Sequence, residues 1–219
     1  MKRLHRPDLW SWSRFDEARN VDFHGLLWVR PGGNVAIDPL PQTAHDRRHL
    51  ESLGGAATIV ITNSDHVRGA VELADATGAL LLGPAGERAG FPIPCHRYLE
   101  DGDEVVAGLV ALALYGSKTP GELALLLEGS TLITGDLVRA NRGGALDLLP
   151  DARLADRGAA LASLRRLAGL PGIEAVLVGD GWPVFRGGAA ALAELLAVAT
   201  ASPAASSAAS CAWLAPTTT

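Results

Sequence analysis

Three short apolar runs that each end in an acidic side chain constrain the fold of this sequence more than any other feature. Runs of this length and β-branched content predict buried strands, and the polar residues after them predict loops. In layered α/β proteins, ligands bind where strand ends open onto a crevice. The runs and the residues that follow them are 58–61 with Asp65 and His66, 131–134 with Asp136, and 175–178 with Asp180. If the three strands are neighbours, these four side chains converge on one point.

The length and hydrophobic content predict one domain with a full core. The chain has 219 residues, of which 48% are hydrophobic, and a single α/β domain commonly reaches this size. We assign this domain to residues 1–200. Residues 201–219 are rich in Ala, Ser, Thr and Pro and predict a disordered tail.

Charge and cysteine content indicate a small-molecule partner and a reducing compartment. The net charge is −5 and there is no long basic run, which argues against nucleic acid and acidic membrane surfaces as partners. The longest uncharged apolar run, residues 105–115, is too short to span a bilayer, which needs about 20 residues. Cys95 and Cys211 cannot form a disulfide framework. We therefore expect a soluble cytoplasmic protein that binds a small molecule.

The order of the predicted elements favours two sheets packed face to face with helices outside. Strands and a hairpin come first, then helix and strand pairs, then a meander of three apolar runs, then a helix, a strand and a helix. The predicted elements are a hairpin over 23–38, helices over 43–53, 67–77, 157–168 and 188–200, strands over 58–61, 79–82 and 175–178, and a meander over 104–134.

Six short motifs in this order resemble those of the metallo-β-lactamase superfamily. Each motif is weak alone, but the ordered set is fairly specific, and the resemblance covers roughly residues 20–198. It implies a four-layer αββα sandwich. The motifs lie at residues 37–39 (IDP), 65–66 (DH), 99–103 (LEDGD), 118–122 (KTPGE), 132–136 (LITGD) and 179–181 (GDG).

The sequence departs from the family at most of its metal-binding histidines. Aligned on Asp65-His66, the family's His-x-His-x-Asp-His motif places Ile61 and Asn63 at its first two histidines, and a shorter loop would place Asn63 at the first. Ser117 or Lys118 replaces the histidine that is usual before Thr-Pro-Gly, and Asp180 replaces the one usual between the last two glycines. One metal position has therefore lost all its histidines.

The residues that remain imply at most one metal ion. The resemblance gives Asp65, His66, Asp136 and Asp180 as its ligands, with Asp65 and His66 also as the catalytic pair. Zinc, manganese or iron would suit this oxygen-rich set, and would make hydroxide available near neutral pH for a hydrolase. Further site candidates are Asn63 and Lys118, and Trp182, which follows Asp180 closely enough to wall a pocket.

Simpler interpretations of the same residues remain open. Ser64 or Asp65 would serve as a helix N-cap, and Asp136 and Asp180 as turn residues after glycine. If the carboxylates converge without a metal, the Lys118 ammonium would compensate their repulsion. The second functional hypothesis is therefore a non-catalytic member of the fold, without a cofactor, that binds a small ligand or a partner protein.

Overall fold

The computed structural model describes residues 1–201, which form two mixed sheets, a short hairpin and four helices. The first sheet has seven strands that are hydrogen-bonded in chain order. It is antiparallel through its first four strands and parallel from the fourth to the seventh. Its strands are β1 (Lys2–Arg3), β2 (Leu9–Asp16), β3 (Val21–Trp28), β4 (Val35–Ile37), β5 (Thr58–Val60), β6 (Leu80–Pro84) and β7 (Arg97–Leu99).

The second sheet has five strands in the order β14-β11-β10-β9-β8. The predicted meander forms its antiparallel part, and β14 pairs in parallel with β11 at the edge. Its strands are β8 (Glu104–Val106), β9 (Leu109–Leu114), β10 (Glu122–Leu127), β11 (Thr131–Thr134) and β14 (Ala175–Val178). The hairpin between β11 and β14 consists of β12 (Val138–Arg142) and β13 (Ala145–Leu148).

Two helices cover the outer face of each sheet, which gives the predicted αββα sandwich. The pair α1 and α2 packs on the first sheet, and the pair α3 and α4 on the second. The helices are α1 (Ala44–Ser52), α2 (Ala70–Thr77), α3 (Arg157–Ala168) and α4 (Gly188–Ala201).

The strands in the middle of the sandwich are apolar because both of their faces are buried. Successive side chains on a strand point to opposite faces, so each strand supplies two cores. In β5, Val60 faces the core between the sheets and Ile59 faces the helices. In β14, Leu177 faces the core between the sheets and Val176 faces α3 and α4.

The first sheet is longer than the sequence pattern predicted, because β2 was missed. Residues 9–16 (LWSWSRFD) alternate, so that Leu9 packs between the sheets while Trp12 packs toward the helices. The β12–β13 hairpin was also missed, since it contains polar residues and a Gly-Gly turn. Both additions matter for function, because β12 supplies Arg139 to the site described next and β2 supplies Phe15 to a neighbouring cavity.

The predicted tail, from residue 202 onward, lies outside the described residues, and the single-domain assignment stays a prediction. Within residues 1–201, no helix combines the length and the apolar character needed to cross a bilayer. The cytoplasmic location likewise stays a prediction.

Candidate functional site

A capped turn after β5 directs His66 into the protein. Residues 64–66 form a single 3₁₀ turn, and the Asn63 side chain caps it by accepting a hydrogen bond from the Asp65 N–H at 3.0 Å. The capping interpretation of Ser64 and Asp65 was therefore wrong, since the preceding asparagine supplies the cap. Helix α2 begins later, after Gly69, without a side-chain cap. The turn leaves His66 2% exposed, while the Asp65 side chain remains 54% exposed at the mouth of the site.

His66 lies between two buried carboxylates. Its Nδ1 is 2.7 Å from Asp38 Oδ2, and its Nε2 is 3.5 Å from Asp136 Oδ2. Asp38 is fixed in turn by Thr62, whose N–H and hydroxyl donate to its two oxygens at 2.8 and 2.6 Å. Burial of the imidazole opposes its charge, but Asp38 and then Asp136 outweigh burial and raise the pKa of His66 to about 10. His66 is therefore an imidazolium at neutral pH.

Lys118 forms ion pairs with both Asp65, which follows β5, and Asp136, which follows β11. Its loop links β9 to β10, and its Nζ is 2.6 Å from Asp65 Oδ2 and 2.9 Å from Asp136 Oδ2. Partial burial opposes the ammonium charge, yet Asp136 and Asp65 raise the pKa of Lys118 above its ordinary value. The ammonium thus occupies the point at which these carboxylates converge.

Asp136 is the centre of the arrangement. Besides Lys118 and His66, the Asn63 amide donates to its Oδ2 at 3.0 Å. Burial alone would favour the neutral acid, but His66 and Lys118 hold the pKa of Asp136 well below its usual range. Its other oxygen, Oδ1, is buried and has no hydrogen-bond partner among residues 1–201.

Asp180 is neutralised by two arginines. Arg139, from β12, pairs with its Oδ2, and Arg68 Nη2 lies 3.3 Å from its Oδ1. Arg68 also donates to the His24 carbonyl at 3.1 Å and lies over the Phe23 ring, 5.1 Å from its centroid. These contacts hold both guanidinium groups at the end of β14.

Glu122 supports the site from behind. Its carboxylate accepts hydrogen bonds from the N–H groups of Asp136 and Leu137 at 2.7 and 2.9 Å, and from the Ser117 hydroxyl at 2.7 Å. Burial, followed by repulsion from Asp136, raises the pKa of Glu122 to about 7. This buried carboxylate therefore orients both the Asp136 loop and the Lys118 loop.

We refer to the eight charged side chains that pair here, in two adjoining groups, as the ionic cluster. Its acidic members come from both sheets, because β11 and β14 are neighbours in one sheet and β4 and β5 belong to the other. The Leu123 N–H donates to the Thr62 carbonyl at 2.8 Å and ties the sheets together at this edge. The members are Asp38, Asp65, His66, Arg68, Lys118, Asp136, Arg139 and Asp180.

The ionic cluster faces a cavity of about 630 Å³, which we call the cationic cavity. Four Lys or Arg side chains and three Asp side chains line it, and His66 adds a further positive charge. The lining therefore has a net charge of about +2, in a chain whose net charge is −5. The charged lining residues are Arg19, Asp65, His66, Arg68, Lys118, Asp136, Arg153 and Asp180.

Glycine at position 135 is required by the close approach of three polar side chains. A Cβ there would lie 2.7 Å from Thr62 Oγ1, 2.9 Å from Asn63 Nδ2 and 3.2 Å from Glu122 Oε1. Gly135→Ala should therefore lower the free energy of unfolding by about 2 kcal/mol, measured by urea denaturation. Gly90→Ala is the matched control, because its Cβ would meet nothing within 4 Å and should cost little. Equal losses in the two variants would contradict this account of Gly135.

A model of a protein family matches residues 1–199, and its description is the metallo-beta-lactamase superfamily. The chain belongs to the metallo-β-lactamase superfamily. The match covers the whole sandwich and includes the β1–β2 region, which the sequence resemblance had left out. No curated protein gave a match.

Solved structures of metallo-β-lactamases share the fold at low sequence identity. A metallo-β-lactamase from Pontibacter korlensis is 17% identical with a TM-score of 0.70, over 90% of this chain and 97% of the other. One from Pseudomonas aeruginosa, solved in its mono-zinc form, is 17% identical with a TM-score of 0.69, over 90% and 94% of the two chains. A β-lactamase domain protein from Burkholderia ambifaria is 23% identical with a TM-score of 0.64, over 89% and 71%. At these identities the likeness shows the fold alone.

Most of the predicted site residues of this metallo-β-lactamase-fold chain come together in the structure. Donor atoms of His66, Asp136 and Asp180 all lie within 4.8 Å of one another and form a group that could hold a metal ion. Asp65 and Asn63 join them through Lys118 and Asp136. Trp182 lies beside a neighbouring cavity instead.

Sequence reasoning missed six charged residues of the site: Arg19, Asp38, Arg68, Glu122, Arg139 and Arg153. Asp38 and Glu122 belonged to quoted motifs, at residues 37–39 and 118–122, and their placement at strand ends was the available signal. Arg68 has a left-handed backbone conformation, with a φ angle of 41°, which is uncommon outside glycine. Arg19, Arg139 and Arg153 gave no comparable signal.

As arranged, the donor set does not fit a divalent ion. A metal ligand must offer a free lone pair, whereas Nδ1 of His66 already faces Asp38 at 2.7 Å and its Nε2 faces Asp136 at 3.5 Å. Lys118 already lies against Asp136, and Arg139 and Arg68 lie against Asp180. The negative charge that would attract a cation is thus neutralised by the protein's own side chains.

Proposed function

We propose that this protein is a metallo-β-lactamase-fold member that binds a small anionic ligand without a metal cofactor. The observation that carries the proposal is Lys118, whose ammonium bridges Asp65 and Asp136 where the fold's metal ion would be expected. With its carboxylates neutralised internally, the cationic cavity presents its surplus positive charge to a ligand.

Two arginines on the cavity wall support an anionic ligand. Within residues 1–201, no ion pair engages Arg153, and Arg19 has one long ion pair, with 3.8 Å between its Nε and Asp16 Oδ2, and lies over the Phe23 ring. The Arg19 side chain is 70% exposed, so its charge is available at the mouth of the cavity. A guanidinium binds carboxylate or phosphate oxygens in a bidentate manner. We therefore expect a ligand with a phosphate or carboxylate group.

Methyl phosphate should bind wild-type protein in calorimetric titration at low salt, and Arg153→Ala should weaken binding about tenfold. A charge-assisted hydrogen bond contributes about 1.5–3 kcal/mol, which corresponds to at least this change. Arg48→Ala, on the exposed surface of α1, is the matched control and should leave affinity unchanged. A wild-type protein that binds neither methyl phosphate nor inorganic phosphate would refute the anionic ligand.

A mononuclear metal-dependent hydrolase is the second candidate function. Two observations favour it: the grouped donors of His66, Asp136 and Asp180, and the unpartnered Oδ1 of Asp136. One zinc, manganese or iron ion would then have to displace Lys118 and Arg139 from the carboxylates. The melting temperature of the wild-type protein with added zinc, manganese or chelator separates the candidates, alongside an ester and phosphodiester screen. A metal-dependent rise that Asp136→Ala abolishes would favour the hydrolase over our proposal.

A further inference from the structure

Trp182 is an exposed aromatic residue that packs on Gly143. It is 62% exposed, although Asp180, two residues before it, is buried. Its backbone N–H donates to the Ala140 carbonyl at 2.8 Å. A Cβ at Gly143 would lie 3.0 Å from the indole Cε3, so the ring packs directly on that glycine. The ring therefore rests on Gly143 and presents an apolar surface to solvent.

Trp182 lines a second cavity, of about 500 Å³, which we call the aromatic cavity. Phe15, on β2, is another wall of this cavity and is itself 57% exposed. Asn20, Asp22 and Asn141 add polar groups to the lining of the same cavity. Two exposed rings with hydrogen-bonding groups around them are suited to a flat ligand with polar edges.

The aromatic cavity and the cationic cavity share a wall one residue thick. Asp22 and Gly181 line the aromatic cavity, and their chain neighbours Phe23 and Asp180 line the cationic cavity. The wall is fixed by a bridge between Phe23 and Asp180 and by a 2.8 Å hydrogen bond from the Gly181 N–H to the Asp22 carbonyl. The two cavities are therefore adjacent, on either side of these residues.

We propose that the ligand carries a flat aromatic ring as well as its anionic group, and that the ring stacks on Trp182. This inference rests on the proposed anionic ligand and specifies the part of that ligand that lies outside the cationic cavity. The cationic cavity holds the phosphate or carboxylate, and the indole supplies the stacking surface for the ring. Stacking of a ring on an aromatic side chain changes affinity by about tenfold.

The test compares 1-naphthyl phosphate with methyl phosphate, which carries the same anionic group without a ring. In calorimetric titrations of the wild-type protein, 1-naphthyl phosphate should bind about tenfold more tightly. Trp182→Ala should abolish this difference and leave the affinity for methyl phosphate unchanged, while Trp182→Phe should restore part of it. Tyr115→Ala is the matched control, because Tyr115 is also exposed, at 55%, but lines neither cavity.

The possible failures are distinguishable. If both phosphates bind equally tightly, or if Trp182→Ala keeps the tenfold difference, the ring site is wrong and the anionic ligand stands. If neither phosphate binds, the proposed anionic ligand is wrong and this inference falls with it. A tenfold loss in Tyr115→Ala as well would show that the effect is not specific to Trp182.

Discussion

Replacing Lys118 with methionine should lower the free energy of unfolding by about 3 kcal/mol, as measured by urea denaturation. The substitution keeps the length of the side chain but leaves Asp136, which is 1% exposed, without its closest cation. Removal of one partner from a buried ion pair costs about 3–5 kcal/mol, because the other charge stays buried and unpaired. We take the lower end, since the Lys118 side chain is 26% exposed.

A double-mutant cycle with Asp136→Asn separates this charge effect from lost packing. The double variant should recover at least about 1 kcal/mol relative to the sum of the single losses. Lys2→Met is the matched control: it is the other lysine of the chain, it is exposed, and its replacement should have little effect. Additive losses in the cycle would show that Lys118 does not compensate Asp136.

Raising the pH from about 6.5 to about 10 should lower the free energy of unfolding by a few kcal/mol through His66. The pKa of His66 is raised to about 10 in the folded protein from the ordinary 6.5. Its contribution to stability is therefore complete below pH 6.5 and is lost as the pH rises through the folded value. Each unit of pKa difference corresponds to about 1.4 kcal/mol. Denaturation curves at several pH values measure the slope, and an NMR titration of the imidazole locates the pKa.

The variant His66→Gln should lose most of this slope, and His45→Gln, on the exposed surface of α1, should keep it. Glu122 contributes little to the change in stability between pH 6.5 and 10. Its pKa is raised from 4.5 to about 7, so its own stabilising contribution is lost mainly between those values. An imidazole that titrates near 6.5 in the folded protein would contradict the description of His66 as an imidazolium.

The sandwich could be predicted from the sequence because its strands are short, apolar and followed by turn residues. Parallel pairing of β11 with β14 explains why Asp136 and Asp180 come together. Asp65 approaches them from the opposite sheet, because it follows β5. Of the three strands that were expected to be neighbours, β11 and β14 are adjacent and β5 is not. The strand β2 was missed because its two tryptophans and two serines alternate without a continuous apolar run.

The partners of the acidic residues were harder to predict than the acidic residues themselves. A carboxylate at a strand end can be recognised locally, whereas Arg139 reaches Asp180 from a hairpin that the sequence did not reveal. Lys118 was recognised because the family resemblance marked its position as one that usually holds a histidine. Arg68 and Asp38 depend on side-chain directions that follow from tertiary packing. Periodicity carries no information about such long-range pairs.

The internal pairing of the ionic cluster makes the histidine replacements depend on one another. A single change of Lys118 to His removes the cation beside Asp136 but leaves Arg139 and Arg68 on Asp180. A single change of Asp180 to His instead leaves both arginines without their carboxylate, beside an imidazolium at position 66. Each step toward a metal-binding set is therefore unfavourable until several others are present. Converting this charge arrangement into a metal-binding one would therefore require several of these side chains to change together.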